Sequence, residues 1–551
     1  MRKKVLITSA LPYVNNSPHL GNIIGSVLSA DCFARYCRLK GHETLFIGGT
    51  DEYGSPTEIQ AIKERCLPIE ICNKYHEIHR QVYQWFNCSF DIFGRTTNQH
   101  HRSICHDIFH ELSRNNYINE KSIHQLYCQD CQRFLADRYV EGQCYLCQFP
   151  EARGDQCDKC SQLLDANKLI QPKCKICHST SISIKETNHL FLDLKSLEHD
   201  LSEWHTEVLD GWSNNASKTT KSWMVKGLQE RCISRDLKWG INIPGYDNKV
   251  FYVWFDAPIG YISITASLTP EWKDWWTGET ELYQFMGKDN VPFHSLIFPG
   301  VLLGTKNKWI LPKAIYTTEY LNYEGGKFSK SRNTGIFGND VISLNLPSFV
   351  WRYYLFSIRP ESSDSSFQWH EFVDRNNGEL LAKFGNYCHR TLCLTKKYLS
   401  LGFNDFVKNY DELIKKVDEH IIKYIEYIEK GCLREALRKV IDIAVEGNVQ
   451  LNKDCPWKSI KNNFQEASDS IFLACNLIYH LAYLAWPFVP TLSNEILKQL
   501  GCKEIDNNSK YEFAFKFVLE KNHKISNNIV PLVPLISNEE KLNYIDKFGI
   551  K

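Results

Sequence analysis

The sequence lacks a large excess of charge of either sign. Its formal net charge is +1, from 65 basic and 64 acidic residues. A strongly basic bulk is therefore excluded, and any contact with nucleic acid must come from local placement of charge. The chain also has no internal repeat and no low-complexity segment, so neither a repeat array nor a disordered chain is indicated.

The sequence also lacks an apolar run long enough to span a bilayer, which needs about 20 residues. The most apolar stretch, residues 471–489, contains Asn476 and His480 and ends among prolines. It predicts a buried core helix. Residues 2–4 are basic, but the apolar run after them is short and ends at Pro12. It predicts a buried strand, not a secretion signal.

The pattern near the N-terminus is typical of a parallel sheet. Residues 4–11 predict a strand, the stretch from about His19 to Lys40 predicts a helix, and residues 43–49 predict a second strand. Strand, helix and strand in this order form a βαβ unit. Further strands are predicted at 250–255, 281–286 and 314–321, and nearly continuous helix after residue 375.

Cysteine is abundant, with 21 residues, and eight of them form four C-x-x-C pairs. The pairs are Cys128/Cys131, Cys144/Cys147, Cys157/Cys160 and Cys174/Cys177. Two thiolates at this spacing can bind one ion, and four complete the tetrahedral shell of Zn²⁺. The pattern predicts one or two structural zinc ions in a reducing compartment. Nested pairing and sequential pairing (128/131 with 144/147) both fit the spacing.

Two short segments carry residue types that bind a triphosphate. His19-Leu20-Gly21-Asn22 stands at a predicted helix start, where backbone N–H groups attract phosphate. Lys327-Phe-Ser-Lys-Ser331 follows a Gly-Gly pair and can neutralise charge that develops at a phosphate. Taken alone, the first segment is more typical of a helix cap, and the second is more typical of a solvated loop.

Together, an H-x-G-[HN] segment and a K-x-S-K-S segment about 300 residues later resemble the signature pair of the class I aminoacyl-tRNA synthetases. Residues 10–16, 46–54, 252–261 and 287–294 resemble the corresponding segments of methionyl-tRNA synthetases, with details similar to the cytosolic eukaryotic branch. The resemblance runs from residue 4 to about 490. Asn22 departs from the commoner His of the first signature.

The resemblance implies a role for each matching residue. The expected catalytic residues are His19, Asn22, Lys327 and Lys330. The expected ATP-binding residues are Pro12, His19, Gly21, Asn22, Gly287, Asp289, Phe328, Ser329 and Lys330. The expected methionine-binding residues are Leu11, Tyr13, Asp51, Trp254, Pro258, Tyr261 and His294. The expected readers of the tRNA anticodon are Asn386, Arg390, Pro456 and Trp457. One zinc is expected on Cys144, Cys147, Cys157 and Cys160, and a second on Cys128, Cys131, Cys174 and Cys177.

The implied fold is α/β, with a Rossmann-type parallel-sheet catalytic domain split by a zinc-binding insertion and followed by an α-helical anticodon-binding domain. The expected domain limits are 1–117 and 221–325 for the two halves of the catalytic domain, 118–220 for the insertion, 326–375 for the K-x-S-K-S loop and stem-contact region, 376–505 for the helical domain, and 506–551 for a C-terminal arm.

The implied function is methionine–tRNA ligase in the cytoplasm, with L-methionine, ATP, Mg²⁺ and tRNA(Met) as partners and no membrane. The sequence carries no signal about accessory or multi-synthetase partners. Two alternatives stay open: a class I synthetase for another amino acid, and a non-catalytic zinc-containing relative that binds tRNA.

Overall fold

A computed structural model describes most of the chain. The described residues are 2–135, 137–154, 157, 159–160, 162, 164–326, 328, 335–399, 402–403 and 406–549. Three of the predicted nucleotide-site residues, Lys327, Ser329 and Lys330, lie outside these ranges. The predicted domain limits stay predictions.

A five-stranded parallel sheet forms the centre of the catalytic part. From one edge to the other its strands are Pro312–Thr318, Thr280–Gly287, Lys4–Ser9, Glu43–Thr50 and Ile92–Arg95. The next strand in sequence, Glu43–Thr50, pairs with Lys4–Ser9 on one side, and the later strand Thr280–Gly287 pairs with it on the other side. The strand order therefore reverses at Lys4–Ser9. Such a reversal opens a crevice beyond the carboxyl ends of the two central strands. The predicted parallel sheet is confirmed.

Helices cover both faces of this sheet. The first begins at Leu20–Asn22, continues through a π-helical stretch at Ile23–Leu28 and ends as Ser29–Leu39. All residues of Ile23–Leu28 and Ser29–Leu39 are buried, as expected for a helix packed between a sheet and a second layer. The other α-helices before residue 310 are Ser55–Glu64, Pro68–Trp85, Gln99–Arg114, Glu198–Val208, Asn214–Val225, Val253–Leu268, Trp272–Trp276 and Phe298–Gly304.

The strand predicted at 250–255 is wrong in most of its length. Only Val250–Phe251 is a strand, and it pairs antiparallel with Ser234–Arg235. A helix, Val253–Leu268, begins two residues later. Nearly all faces of this helix are buried, so its sequence has no polar side and its apolar run cannot be distinguished from a buried strand by periodicity.

The inserted module contains a long antiparallel hairpin, two short strands at its edges and a separate small sheet. Its arms are Ile118–Cys128 and Ile182–Leu192, paired along their whole length. Short strands at Arg133–Phe134 and Arg231–Cys232 extend this sheet at its edges. A separate three-stranded sheet contains Val140–Gln143, Ala152–Arg153 and Ile170–Cys174.

The C-terminal part is helical, as predicted. A short parallel pair, Leu321–Tyr323 with Ser365–Phe367, precedes most of it. The helices are Gly338–Ile342, Ser348–Ser357, Trp369–Arg375, a π-helical stretch Asn376–Gly385, Asn386–Tyr398, Asp411–Glu429, Leu433–Asp454, Pro456–Ser459, Phe464–Ala485, Pro490–Gln499 and Asn538–Phe548. The described part of the chain holds no helix with the length and apolarity needed to cross a membrane.

Candidate active site and metal centres

A cavity of about 510 Å³ opens beyond the carboxyl ends of the central strands. It lies where the reversal of strand order predicts a crevice. All described residues that the sequence assigned to ATP and methionine line this one cavity. They are Leu11, Pro12, Tyr13, His19, Gly21, Asn22, Asp51, Trp254, Pro258, Tyr261, Gly287, Asp289, His294 and Phe328. Their individual roles stay predictions, but the structure brings them together.

His19 and Asn22 cap the first helix reciprocally. The His19 Nδ1 atom accepts a hydrogen bond from the Asn22 backbone N–H at 3.3 Å, and the Asn22 Oδ1 atom accepts one from the His19 N–H at 3.3 Å. Burial lowers the pKa of His19 to about 4, so the ring is neutral at pH 7. Because Nδ1 is the acceptor, the proton lies on Nε2, which is left as a donor for a ligand oxygen.

Two neighbours fix the plane of the His19 ring. The Phe328 ring stacks on it, with a centroid distance of 4.7 Å and an interplanar angle of 10°. A Cβ atom at Gly21 would stand 2.9 Å from the ring carbon Cε1. A side chain at position 21 would therefore push against the His19 imidazole, so glycine is needed there even apart from any close approach of a nucleotide.

Asp51 provides a buried carboxylate without a protein partner on one oxygen. Its residue is 3% exposed, and among the described residues no hydrogen-bond donor contacts its Oδ1 atom. Burial and the nearby Asp256 carboxylate raise the pKa of Asp51 well above its usual range. A cation bound in the cavity would satisfy this oxygen and favour the ionised form.

Aromatic side chains form another part of the cavity wall. Tyr13 meets the edge of Trp254 at a centroid distance of 6.2 Å, and Trp254 stacks on Phe293 at 3.8 Å. Deeper in the wall, the Tyr261 hydroxyl lies 2.9 Å from His294 Nε2. Apolar and aromatic surfaces of this kind suit a thioether.

Tyr320 was missed by the sequence analysis. Its hydroxyl donates to the carboxylate of Asp289, with both oxygens at 2.7 Å, and it lines the cavity. It follows the strand Pro312–Thr318 by two residues. The rule that ligands bind at the carboxyl ends of parallel strands could have indicated it. The predicted strand at 314–321 ran through this end and hid it.

The eight paired cysteines form two groups of four. One contains Cys144, Cys147, Cys157 and Cys160, the other Cys128, Cys131, Cys174 and Cys177, and within each the sulfur atoms lie within 4.8 Å of one another. Sulfur–sulfur distances include 3.6 Å for Cys147–Cys157, 3.6 Å for Cys128–Cys177 and 3.8 Å for Cys131–Cys174. Zinc–sulfur bonds of about 2.3 Å in a tetrahedron place sulfurs about 3.8 Å apart. The structure groups the pairs in the nested order and not in the sequential one, and both groups could hold Zn²⁺.

The four residues assigned to the anticodon lie on two helices. Asn386 and Arg390 stand four residues apart on Asn386–Tyr398, and Pro456 and Trp457 begin Pro456–Ser459. The Arg390 guanidinium lies 4.3 Å from the centroid of the Trp457 ring. Its Nη1 atom donates to Asn452 Oδ1 at 2.8 Å. Trp457 is partly exposed and also packs against the hydrophobic core.

Comparison with known proteins gives two family matches. Residues 5–392 match the family described as tRNA synthetases class I (M), and residues 404–551 match the anticodon binding domain of methionyl tRNA ligase. Together these matches cover both the cavity and the helices that carry Arg390 and Trp457.

Individual relatives agree with these matches. A probable methionine–tRNA ligase of Oryza sativa subsp. japonica is 46% identical over 574 residues, covering 100% of this chain and 71% of the relative. The cytoplasmic methionine–tRNA ligase of Arabidopsis thaliana is 46% identical over 571 residues, with the same coverage of 100% and 71%. The fold resembles that of Mycobacterium tuberculosis methionyl-tRNA synthetase in complex with methionyl-adenylate, with a TM-score of 0.80, 21% identity, and coverage of 97% of this chain and 100% of that one. The chain therefore belongs to the methionyl-tRNA synthetase family of class I aminoacyl-tRNA synthetases.

Proposed function

We propose that this protein is a cytoplasmic methionine–tRNA ligase. It activates L-methionine with ATP to methionyl-adenylate and pyrophosphate, and then transfers the methionyl group to the 3′ end of tRNA(Met). The observation that carries the proposal is that the described methionine and ATP residues line one cavity at the reversal of strand order.

In the first step the methionine carboxylate attacks the α-phosphate of ATP. A carboxylate is already nucleophilic, so this step needs no general base, and positioning and charge stabilisation supply the rate. The neutral His19 ring offers Nε2–H to a phosphate oxygen, a direction set by its bond with Asn22. We assign Lys327 and Lys330 to the same phosphates from their sequence motif. Mg²⁺ arrives with ATP and is held mainly by phosphate and water.

Methionine is held at its two ends. Asp51 pairs with the ammonium group, because its Oδ1 atom is buried without a partner among the described residues. The thioether lies against the wall of Tyr13, Trp254 and Tyr261. The Tyr261–His294 hydrogen bond lies deeper in the same wall.

In the second step a ribose hydroxyl of the terminal adenosine attacks the carbonyl of the adenylate. We assign recognition of the anticodon to Asn386, Arg390, Pro456 and Trp457, because indole and guanidinium can stack on a splayed base. Two zinc ions on the two four-cysteine groups would hold the inserted module in shape. With four sulfur ligands each, they leave no open position for substrate.

Methionine-dependent ATP–pyrophosphate exchange tests the proposal directly. We expect exchange with methionine and little with cysteine, leucine, isoleucine or valine. Asp51→Asn should raise the KM for methionine by roughly 10- to 150-fold, since a hydrogen bond to a charged group is worth about 1.5–3 kcal/mol. The KM for ATP should change little.

Asp374→Asn is the matched control, because the Asp374 side chain is 73% exposed and lies on Trp369–Arg375, a helix outside the cavity. It should leave both constants unchanged. Preferred exchange with another amino acid would identify a different class I synthetase. Binding of tRNA without any exchange would identify a non-catalytic relative.

A further inference from the structure

Tyr320 lines the active-site cavity but takes no part in the chemistry assigned above. It stands two residues after the strand Pro312–Thr318. Asp289, which lines the same cavity, stands two residues after the neighbouring strand Thr280–Gly287. Because these strands pair in parallel, both residues lie at the carboxyl edge of the sheet, where open α/β sheets bind their ligands.

Contacts on several sides hold Tyr320, although the residue is 37% exposed. Its backbone N–H donates to Asp364 Oδ1 at 3.0 Å. The Lys288 ammonium lies over its ring, with Nζ 4.0 Å from the centroid. Its hydroxyl donates to the Asp289 carboxylate, with both oxygens at 2.7 Å. Backbone, ring and hydroxyl are each engaged, so the hydroxyl has a fixed place in the cavity wall.

The lysine next to Asp289 in sequence has other partners. Lys288 Nζ lies 3.2 Å from Asp364 Oδ1 and also forms an ion pair with Glu319. These two carboxylates balance the charge of the ammonium. Asp289 is therefore not needed to neutralise Lys288, and its carboxylate can accept from Tyr320 and from a ligand in the cavity.

The hydrogen bond from Tyr320 leaves acceptor sites on Asp289. An ionised carboxylate can accept about four hydrogen bonds, and a phenol has one proton to donate. Burial and the hydrogen bond with Asp289 raise the pKa of Tyr320 above its usual value, so the hydroxyl keeps this proton at pH 7. Asp289 is thus held by a neutral donor and can still accept from donors bound in the cavity that it lines.

The chemistry of ATP limits which of its groups can meet the Asp289 carboxylate. The phosphates are anionic, so a carboxylate repels them. The 2′- and 3′-hydroxyls of the ribose are neutral donors on adjacent carbons, and a carboxylate offers two acceptor oxygens side by side. The ribose is therefore the part of the nucleotide that fits this carboxylate best.

We propose that Tyr320 is a positioning residue for ATP, which holds the Asp289 carboxylate where it accepts hydrogen bonds from the two ribose hydroxyls. The inference rests on the proposed function, which puts ATP in this cavity. The torsion that turns an aspartate carboxylate is broad and is only weakly restricted by the chain itself. The hydrogen bond from Tyr320 restricts it before the nucleotide binds, so this ordering is not a cost of binding.

The test compares ATP with 2′,3′-dideoxyATP, which lacks both hydroxyls, in methionine-dependent pyrophosphate exchange by the full chain. Tyr320→Phe removes the donor and keeps a ring beside Lys288. We expect kcat/KM for ATP to fall roughly 2- to 12-fold, because one more side chain must be ordered on binding. The kcat/KM for 2′,3′-dideoxyATP and the KM for methionine should change little, so the preference for ATP should fall by the same factor.

Tyr283→Phe is the matched control. The Tyr283 hydroxyl also donates to a carboxylate, Glu281 Oε2 at 2.9 Å, but within the strand Thr280–Gly287 and away from the cavity. This variant should keep the preference for ATP unchanged. If Tyr320→Phe lowered kcat/KM equally for ATP and 2′,3′-dideoxyATP, its role would be merely structural, or Asp289 would serve the Mg²⁺ of ATP, and the proposal would be overturned.

A binding measurement separates this inference from the proposed function. Calorimetric titration with ATP and 2′,3′-dideoxyATP gives the same comparison without turnover. If the unsubstituted chain showed no exchange, the proposed function would be contradicted, and the binding ratio would still decide the role of Tyr320. In the Asp289→Ala background, Tyr320→Phe should weaken binding of ATP no further, because Tyr320 acts through that carboxylate. An additive loss in the double variant would overturn the inference.

Discussion

At the scale of single residues, the Tyr261–His294 pair depends on which ring nitrogen carries the proton. His294 Nδ1 lies 2.9 Å from the backbone carbonyl of Asn290, which can only accept. Nδ1 is therefore protonated. Burial lowers the pKa of His294 to about 4, so Nε2 is unprotonated at pH 7 and accepts from the Tyr261 hydroxyl.

Tyr261→Phe removes this donor and leaves the ring in place. The loss of one neutral hydrogen bond costs about 1 kcal/mol, so we expect the KM for methionine to rise about fivefold and the KM for ATP to stay constant. Steady-state exchange kinetics measure both. Because His294 stays neutral above its pKa of about 4, the methionine KM should not vary through protonation of this residue between pH 6 and 8. A sharp rise in that KM below pH 7 caused by protonation of His294 would contradict the neutral state assigned to this ring.

At the scale of elements, the sequence predicted the strands and helices whose residue patterns are typical of only one type of secondary structure. The strands Lys4–Ser9 and Glu43–Thr50 and the helix between them follow from short apolar runs and a capped helix start. The helix Val253–Leu268 was missed, because burial on nearly all sides removes the polar face that distinguishes helix from strand. Tyr320 was missed for a related reason, since the predicted strand continued past Thr318.

The metal centres show a different limit. The C-x-x-C spacing identifies each pair, because two residues fix the distance between its thiols. It does not determine which pairs meet, because that depends on the long hairpin Ile118–Cys128 with Ile182–Leu192. This hairpin brings Cys128 close to Cys177 and encloses the inner pairs between them.

The nested arrangement gives a sharp expectation for zinc content. Cys144→Ser with Cys160→Ser removes two ligands from one group, so one zinc per chain should remain. Cys131→Ser with Cys144→Ser removes one ligand from each group, so both ions should be lost or bound weakly. Elemental analysis after dialysis measures this. Cys66→Ser is the control with two zinc ions, and a sequential pairing would reverse the two double variants.

At the scale of the whole molecule, the C-terminal arm connects the catalytic and helical parts. The Tyr511 N–H donates to the carbonyl of Leu39 at 2.8 Å. Farther on, the Tyr323 hydroxyl donates to the carbonyl of Phe548 at 2.6 Å and accepts from Trp369 Nε1 at 2.8 Å. Tyr323 also packs against Phe328, the residue that stacks on His19. The arm thus contacts Leu39, at the end of the helix that begins at the active site. It also contacts Tyr323, which packs against Phe328.

Binding of the anticodon and activation of methionine are assigned to different parts of the chain, so the two activities can be tested separately. Trp457→Ala removes the ring under the Arg390 guanidinium, and stacking on a base is worth about 1–3 kcal/mol. We therefore expect the KM for tRNA to rise roughly 5- to 150-fold, while methionine-dependent exchange stays within about twofold of the unsubstituted protein. Trp272→Ala provides the control, since Trp272 is a partly exposed tryptophan of the catalytic part and should leave the tRNA KM unchanged. If Trp457→Ala also abolished exchange, Trp457 would be needed for packing of the chain and would not be an anticodon-binding residue. The adenylate forms in a cavity lined by other elements. Loss of a contact with tRNA alone should therefore leave exchange unchanged.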